Sequence, residues 1–261
     1  MNNPLRILAK MIGYDAVSRR DDGRVPVGIE RDNEDAILTN RKRVQLIATQ
    51  RDVFRNTTFA PATALQLQIN VIGTDGGRVS FTTSDERFNG EAGSAFRKWA
   101  RRCNFTDGTP LNELLQLILV QLTHNGGDFI AVFDDGILTG GAGTGKVRVF
   151  ESDEIKNVDA AEFVRLYPAK GADGELLHVQ RNGIVYDTFG RIVGAFVSTS
   201  GRKSAVFAKG QFIHLRLATP GDFSDSNWIF TANRWRVNQG RGISTLTHVT
   251  NLLQDLADGK R

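Results

Sequence analysis

The chain has 261 residues, 40% hydrophobic and 24% charged, a balance that suits a globular protein with a sizeable core. Thirty-three Lys and Arg against 29 Asp and Glu leave a net charge of +4, which permits a polyanionic partner without requiring one. One cysteine, Cys103, excludes an internal disulfide and fits a reducing compartment, where it reads as a small core residue. In chain order, MNNPLRILAKMIGYD is too broken by Arg6 and Lys10 for a secretory signal. Residues 1–39 read as an extended polar arm.

Residues 40–126 read as a mainly helical, wing-like region. A helix over 40–57 carries Val44, Ile47, Ala48 and Phe54 near one face, with Arg41, Lys42, Arg43, Arg51 and Arg55 around the rest. A second helix runs from Pro61 to Ile72 and stops at Gly73. RVSFTTS at 78–84 alternates enough to predict a short strand. Phe96, Trp99, Ala100 and Cys103 predict a helix over 91–103, with Arg97, Lys98, Arg101 and Arg102 flanking its apolar stripe. After the Asp107–Pro110 turn comes an apolar helix over 111–124, ended by Asn125-Gly126-Gly127. Its apolar core of 111–122 is shorter than the roughly 20 residues a membrane span needs, so a buried helix and a cytoplasmic-type protein are expected.

Residues 127–217 change character. Strands are predicted at 128–133, 146–150, 175–180, 191–197, 204–207 and 211–217, separated by turn residues such as Asp135-Gly136 and Asp173-Gly174. Residues 218–261 read as a loop rich in aromatic and polar residues, then one amphipathic helix with Ile243, Leu246, Val249, Leu253 and Leu256 at helical spacing. Helices first and strands after, without interleaving, predict an α+β fold: a mainly helical N-terminal half, a mostly antiparallel β region and a final amphipathic helix.

GGAGTGKV at 140–147 nearly matches a phosphate loop, with Gly140, Gly145 and Lys146 in register. Val147 stands where a metal-binding hydroxyl belongs, and VRVF predicts a strand where a phosphate loop needs a helix start. The stretch therefore reads as a hairpin tip whose glycines supply flexibility, with a nucleotide-binding enzyme using 140–146 as the lesser alternative. The four histidines show no metal spacing, and no nucleophile motif is present, so no catalytic residue, metal or cofactor is predicted. Alternation puts Phe212, His214 and Arg216 on one face of their strand, where His214 reads as structural. The basic helix bearing Arg41, Arg43, Arg51 and Arg55 could track DNA phosphates, contact a neighbouring subunit, or be a solvated face. A DNA-binding module built on 41–55 is thus a further alternative.

FIHLRLATPGD followed by NRWRVNQGRGISTLTHVTNLLQDL carries the most information. Gly240 and Gly242 around Arg241 allow a tight lead-in to the last helix, and Ser244 can cap its start. With His214, Arg216 and Gln239, this arrangement resembles the lambda-like portal proteins of tailed bacteriophages. Arg55-Asn56, Gly127-Asp128-Phe129, the 151–155 stretch and Asn182-Gly183-Ile184 follow that family in order. The resemblance implies a non-enzymatic subunit of a dodecameric ring at the head vertex, found in the virion and, during assembly, in the host cytoplasm. It implies several partners: further copies of the chain, terminase, head and scaffold proteins, head–tail connector proteins, and weakly held double-stranded DNA. Family members run on past the position of Arg261, so a truncated C-terminus is expected.

Overall fold

The computed structural model describes residues 37–73, 77, 79–199, 211–237 and 239–257. Its α+β order matches the expectation: helices first, then two antiparallel sheets. Helix α1 (Asn40–Asn56) buries Arg43, Leu46, Ile47, Gln50 and Val53 at helical spacing. Val44, placed by the sequence on the apolar face, is instead exposed. Helix α2 (Phe59–Leu67) continues as a wider π turn over Gln68–Ile72 and ends at Gly73. Residues 79–85 form no strand, contrary to the alternation seen there.

Helix α3 (Glu86–Ala100) starts five residues earlier than predicted. Asp85 caps it, its carboxylate accepting from the Phe88 N–H. Helix α4 (Leu111–Thr123) follows, and Cys103 in the link between them is fully buried.

Strand β1 (Asp128–Phe133) is the centre of a three-stranded sheet. It pairs with β2 (Val147–Glu151) on one side and β7 (Trp228–Ala232) on the other. Residues 228–232, read from sequence as loop, are thus a strand. After a 3-10 turn at Ser152–Glu154 and helix α5 (Ala160–Leu166), the chain builds a second sheet. Its order is β3 (His178–Arg181), β4 (Ile184–Asp187), β5 (Ile192–Ser198), β6 (Phe212–Arg216). Asn182 and Gly183, both at positive φ, make the tight turn joining β3 to β4. The strand predicted at 204–207 lies outside the described residues.

The two sheets face each other across one core. Ile130, Val132, Phe150 and Trp228 of the first sheet pack with Ile184, Ala195, Val197 and Leu215 of the second. Helix α5 covers the other side of the second sheet, where Phe163 and Tyr167 meet Val185, Val193 and Phe196. The chain end returns to the N-terminal helices: a 3-10 turn (Thr245–His248) and helix α6 (Thr250–Ala257) place Leu246 and Leu253 against Val53 and Ala60. This return brings residues 239–244 to the junction of α1, β1 and the second sheet.

Candidate functional site

A single carboxylate organises that junction. Asp128 opens β1 just after Gly126-Gly127 and is completely buried. A carboxylate taken out of water must find charge and donors or give up its ionisation. Arg241, itself only 1% exposed, grips it in a fork, Nε on one oxygen at 2.6 Å and Nη2 on the other at 2.9 Å. The Gly242 N–H adds a donor at 2.8 Å, and Arg43 Nη2 another at 3.2 Å. Burial alone would raise this carboxyl's pKa. Arg241 and then Arg43, with hydrogen bonds from Arg241 and Ser152, hold it below the usual carboxylate range.

The rest of the Arg241 guanidinium is directed at backbone. Nη1 donates to the carbonyls of Ile155, at 3.1 Å, and Asn182; Nη2 donates to the Ser152 carbonyl at 2.8 Å and its hydroxyl at 3.1 Å. One side chain therefore joins β1, the turn after β2 and the β3–β4 turn. Arg43 adds α1, since its Nη2 also donates to the Gly242 carbonyl at 2.5 Å.

The flanking residues serve the same junction. Gln239 accepts from the Trp235 N–H at 3.0 Å and donates to the Arg241 carbonyl at 2.7 Å, which holds the lead-in closed; Gly240 beside it is buried. Gly242 lies so close to Gly127 that a Cβ on it would run into the Gly127 carbonyl. Ser244, expected to cap the last helix, caps the 3-10 turn that precedes it by accepting from the Leu246 N–H, since that helix begins only at Thr250; its hydroxyl donates to the Thr123 carbonyl at the end of α4. Gln50 of α1 closes the far side, donating to Thr247 and accepting from the Gly126 N–H.

The basic helix divides in two. Arg43 is in the clamp, and Arg51 bridges Glu151 at 2.5 Å and Asp153 at 2.8 Å. Burial works against the charge on Arg51, but the Asp153 hydrogen bond and charge, with Glu151 and Glu154, raise its pKa overall. Arg41 and Arg55 remain exposed, Arg55 only loosely paired with Asp52 at 3.9 Å.

His214 and Arg216 share the β6 face covered by α5, as alternation predicts. The Tyr167 hydroxyl meets His214 Nε2 at 2.8 Å, and Arg216 lies over the Tyr167 ring while donating to the Leu166 carbonyl at 2.6 Å. Burial first, then the charges of Arg216 and Arg165, push the His214 pKa down to about 4. This group belongs to the packing of α5 and stands apart from the Asp128 clamp.

The glycine loop is the hairpin tip expected from Val147, with Phe133 opposite Val147 across β1 and β2. It folds around the buried Asp134, whose carboxylate accepts from the Gly136, Leu138 and Thr144 N–H groups and the Thr144 hydroxyl, at 2.8–3.2 Å. Burial would raise this carboxyl's pKa, but these donors, Thr144 foremost, lower it. Within 140–147 itself, the Thr144 N–H is held by this carboxylate and the Gly140 and Gly145 N–H groups donate to the Gly136 and Asp134 carbonyls, so these three donors are turned inward. A shallow groove of about 250 Å³ between α4 and β7, lined by Leu119, Leu122 and Ala232 among others, has no charged group in its lining.

Sequence reading placed Arg241, Gln239, Gly242 and Ser244 together and took the stretches holding Asp128, Ser152 and Asn182 as marks of the family resemblance, without a role for those three residues and without Gln50. The available signal was an acid opening the apolar strand DFIAVF, where only a buried cation could accompany it.

The Asp128 carboxylate and two arginines are committed to one another and to the protein's own backbone, at the start of β1, while Asp134 fills the loop past its other end. Comparison with protein families identifies the chain: it belongs to the phage portal proteins of the lambda family, whose model matches residues 27–260. A search of curated proteins found no match. The family is one of virion structural proteins. Among the described residues, no helix is long and apolar enough to cross a membrane.

Proposed function

We propose that this chain is the repeating subunit of a dodecameric ring at the unique vertex of a phage head, through which double-stranded DNA is packaged and ejected. The match to the portal family over residues 27–260 carries this reading. A ring needs a heterologous contact repeated by rotation, so each subunit must be rigid enough to close the circle without accumulated error. The Asp128 clamp suits that demand, since it locks the helical layer to both sheets at one buried point.

On this reading the ring docks the terminase motor during packaging. It meets head and scaffold proteins during assembly and head–tail connector proteins afterwards. The subunit itself catalyses nothing: ATP hydrolysis belongs to terminase, in keeping with a glycine loop whose Gly140, Thr144 and Gly145 N–H groups are bonded within the loop. DNA passes through weakly held, because tight phosphate contacts would stall translocation. The protein resides in the virion and, before that, in the host cytoplasm. Negative-stain electron microscopy of the full-length protein tests this: rings with a central channel are expected, and particles without rotational symmetry under every assembly condition would overturn it.

A further inference from the structure

The fold sorts the chain's basic runs into those used internally and those left open. On α1, Arg43 is buried in the clamp and Arg51 is held by two carboxylates. The run at the end of α3 is different. Arg97, Lys98, Arg101 and Arg102 are all exposed, and among the described residues none of them, nor Lys146, makes an ion pair.

Helical spacing sets Arg97, Lys98 and the capping Arg101 on the side away from Phe96 and Trp99, and Arg102 follows in the turn after the helix. The apolar side fastens the helix end to the hairpin. Trp99 Nε1 donates to the Gly145 carbonyl at 2.7 Å, and the Val147 N–H and carbonyl bond to Cys103 and Phe105, each at 2.8 Å. Lys146 lies between those two anchored residues in the chain, which brings its backbone to the helix end. Nearby carboxylates are turned to local donors: Asp107 to Asn104 and Thr109, Asp134 to its own loop, Asp135 to Asn227.

A helix C-terminus favours one or two cations in its last turn through the macrodipole. That accounts for Arg97 and Lys98; Arg101 at the cap and Arg102 just past it bring the run to four like charges within six residues, none of them in an ion pair among the described residues. We propose that the C-terminal end of α3, together with Lys146, is a surface that holds the phosphate backbone of double-stranded DNA. From residue 97 to the capping residue 101 the helix advances about 6 Å, a length over which a duplex presents about three to four phosphate charges. Single strands fit less well, because Trp99 and Phe96 are turned into the protein and offer bases no stacking platform.

The proposal rests on the portal reading, and its test separates the two. Binding of the full chain to a short labelled duplex is measured by fluorescence anisotropy between about 50 and 200 mM salt. The triple variant Arg97→Ala, Arg101→Ala, Arg102→Ala is expected to bind at least about tenfold more weakly at low salt, with a log–log salt slope shallower by about 2 to 3. The double variant Arg41→Ala, Arg55→Ala is expected to leave both unchanged, and both variants to unfold at the wild-type urea midpoint. Equal losses in the two variants, no wild-type binding at low salt, or displacement of DNA by polyglutamate as readily as by unlabelled duplex would each overturn the assignment. Rings seen by microscopy together with an unaltered triple variant would overturn this surface alone. Absence of rings would count against the portal reading whatever the DNA result.

Discussion

Asp128→Asn isolates the clamp with almost no change in side-chain volume. The amide keeps one acceptor, but its NH₂ now faces guanidinium N–H groups. Arg241, at 1% exposure, and Arg43, at 5%, then lose the buried carboxylate charge they share. Breaking a buried pair in this way costs about 3–5 kcal/mol, a large share of the roughly 5–15 kcal/mol by which domains are stable. At a urea slope of about 2–3 kcal/mol per molar, the midpoint should fall by about 1.5 M. The indole of the buried Trp228 reports the transition by fluorescence. Arg241→Lys keeps the charge and loses the fork, so its shift should be smaller. Arg43→Ala should be smaller too, because Asp128 retains Arg241 and the Gly242 N–H. The acid limb adds a second readout. Because the folded-state pKa of Asp128 is depressed, its stabilisation is present above the unfolded value of about 3.9 and is lost as pH falls through the folded one. The variant should lack that part of the acid loss. A midpoint shift under about 0.3 M, which is below 1 kcal/mol, would refute the idea that the clamp holds the fold together.

Four further outcomes follow from the same geometry. Gly242→Ala should destabilise by about 3 kcal/mol, because the new methyl meets the Gly127 carbonyl, whereas Gly140→Ala, with open space around it, should cost about 1–2 kcal/mol from its positive φ alone; urea titrations of the pair decide it. His214, followed by NMR, should titrate near pH 4. Its folded-state pKa lies below the unfolded value, so its contribution to stability should decline as pH drops from about 6.5 toward 4, and a midpoint near 6.5 would contradict its burial against Tyr167. Asp134→Ala should remove amide-exchange protection at Gly136, Leu138 and Thr144, and unchanged protection would show that the carboxylate does not organise the loop. Calorimetry should find no saturable ATP binding, with or without Lys146→Ala; heat that depends on the lysine would restore the nucleotide reading.

Local signals in the sequence were reliable where the physics is local. Val147 and the alternation after it gave the hairpin, and Ser244 gave a cap, though of the 3-10 turn rather than of the last helix. The α1 helix was located within a residue, yet its inward face was misread, because a wheel weighted by hydrophobicity places arginine outside. Arg43 is inside because of Asp128, 85 positions away. The β3–β4 hairpin was missed, with no strand predicted over Ile184–Asp187, although Asn182-Gly183 offers an Asn-Gly turn signal. β7 lay hidden because WIFTA sits between polar stretches and acquires strand form only by pairing with β1. In RVSFTTS the same kind of alternation has no partner among the described residues, and no strand results. The lead-in at 239–244 was legible as a unit through its family resemblance, while its role as the far half of a clamp depended on contacts that no spacing encodes.

The central claim, a ring subunit, is tested most directly by native mass spectrometry of the full-length protein. The account predicts a dominant species at a whole-number multiple of the protomer mass, about twelvefold, consistent with closed cyclic symmetry. A protomer that stays monomeric across concentrations, in the absence and presence of its head partners, would contradict it.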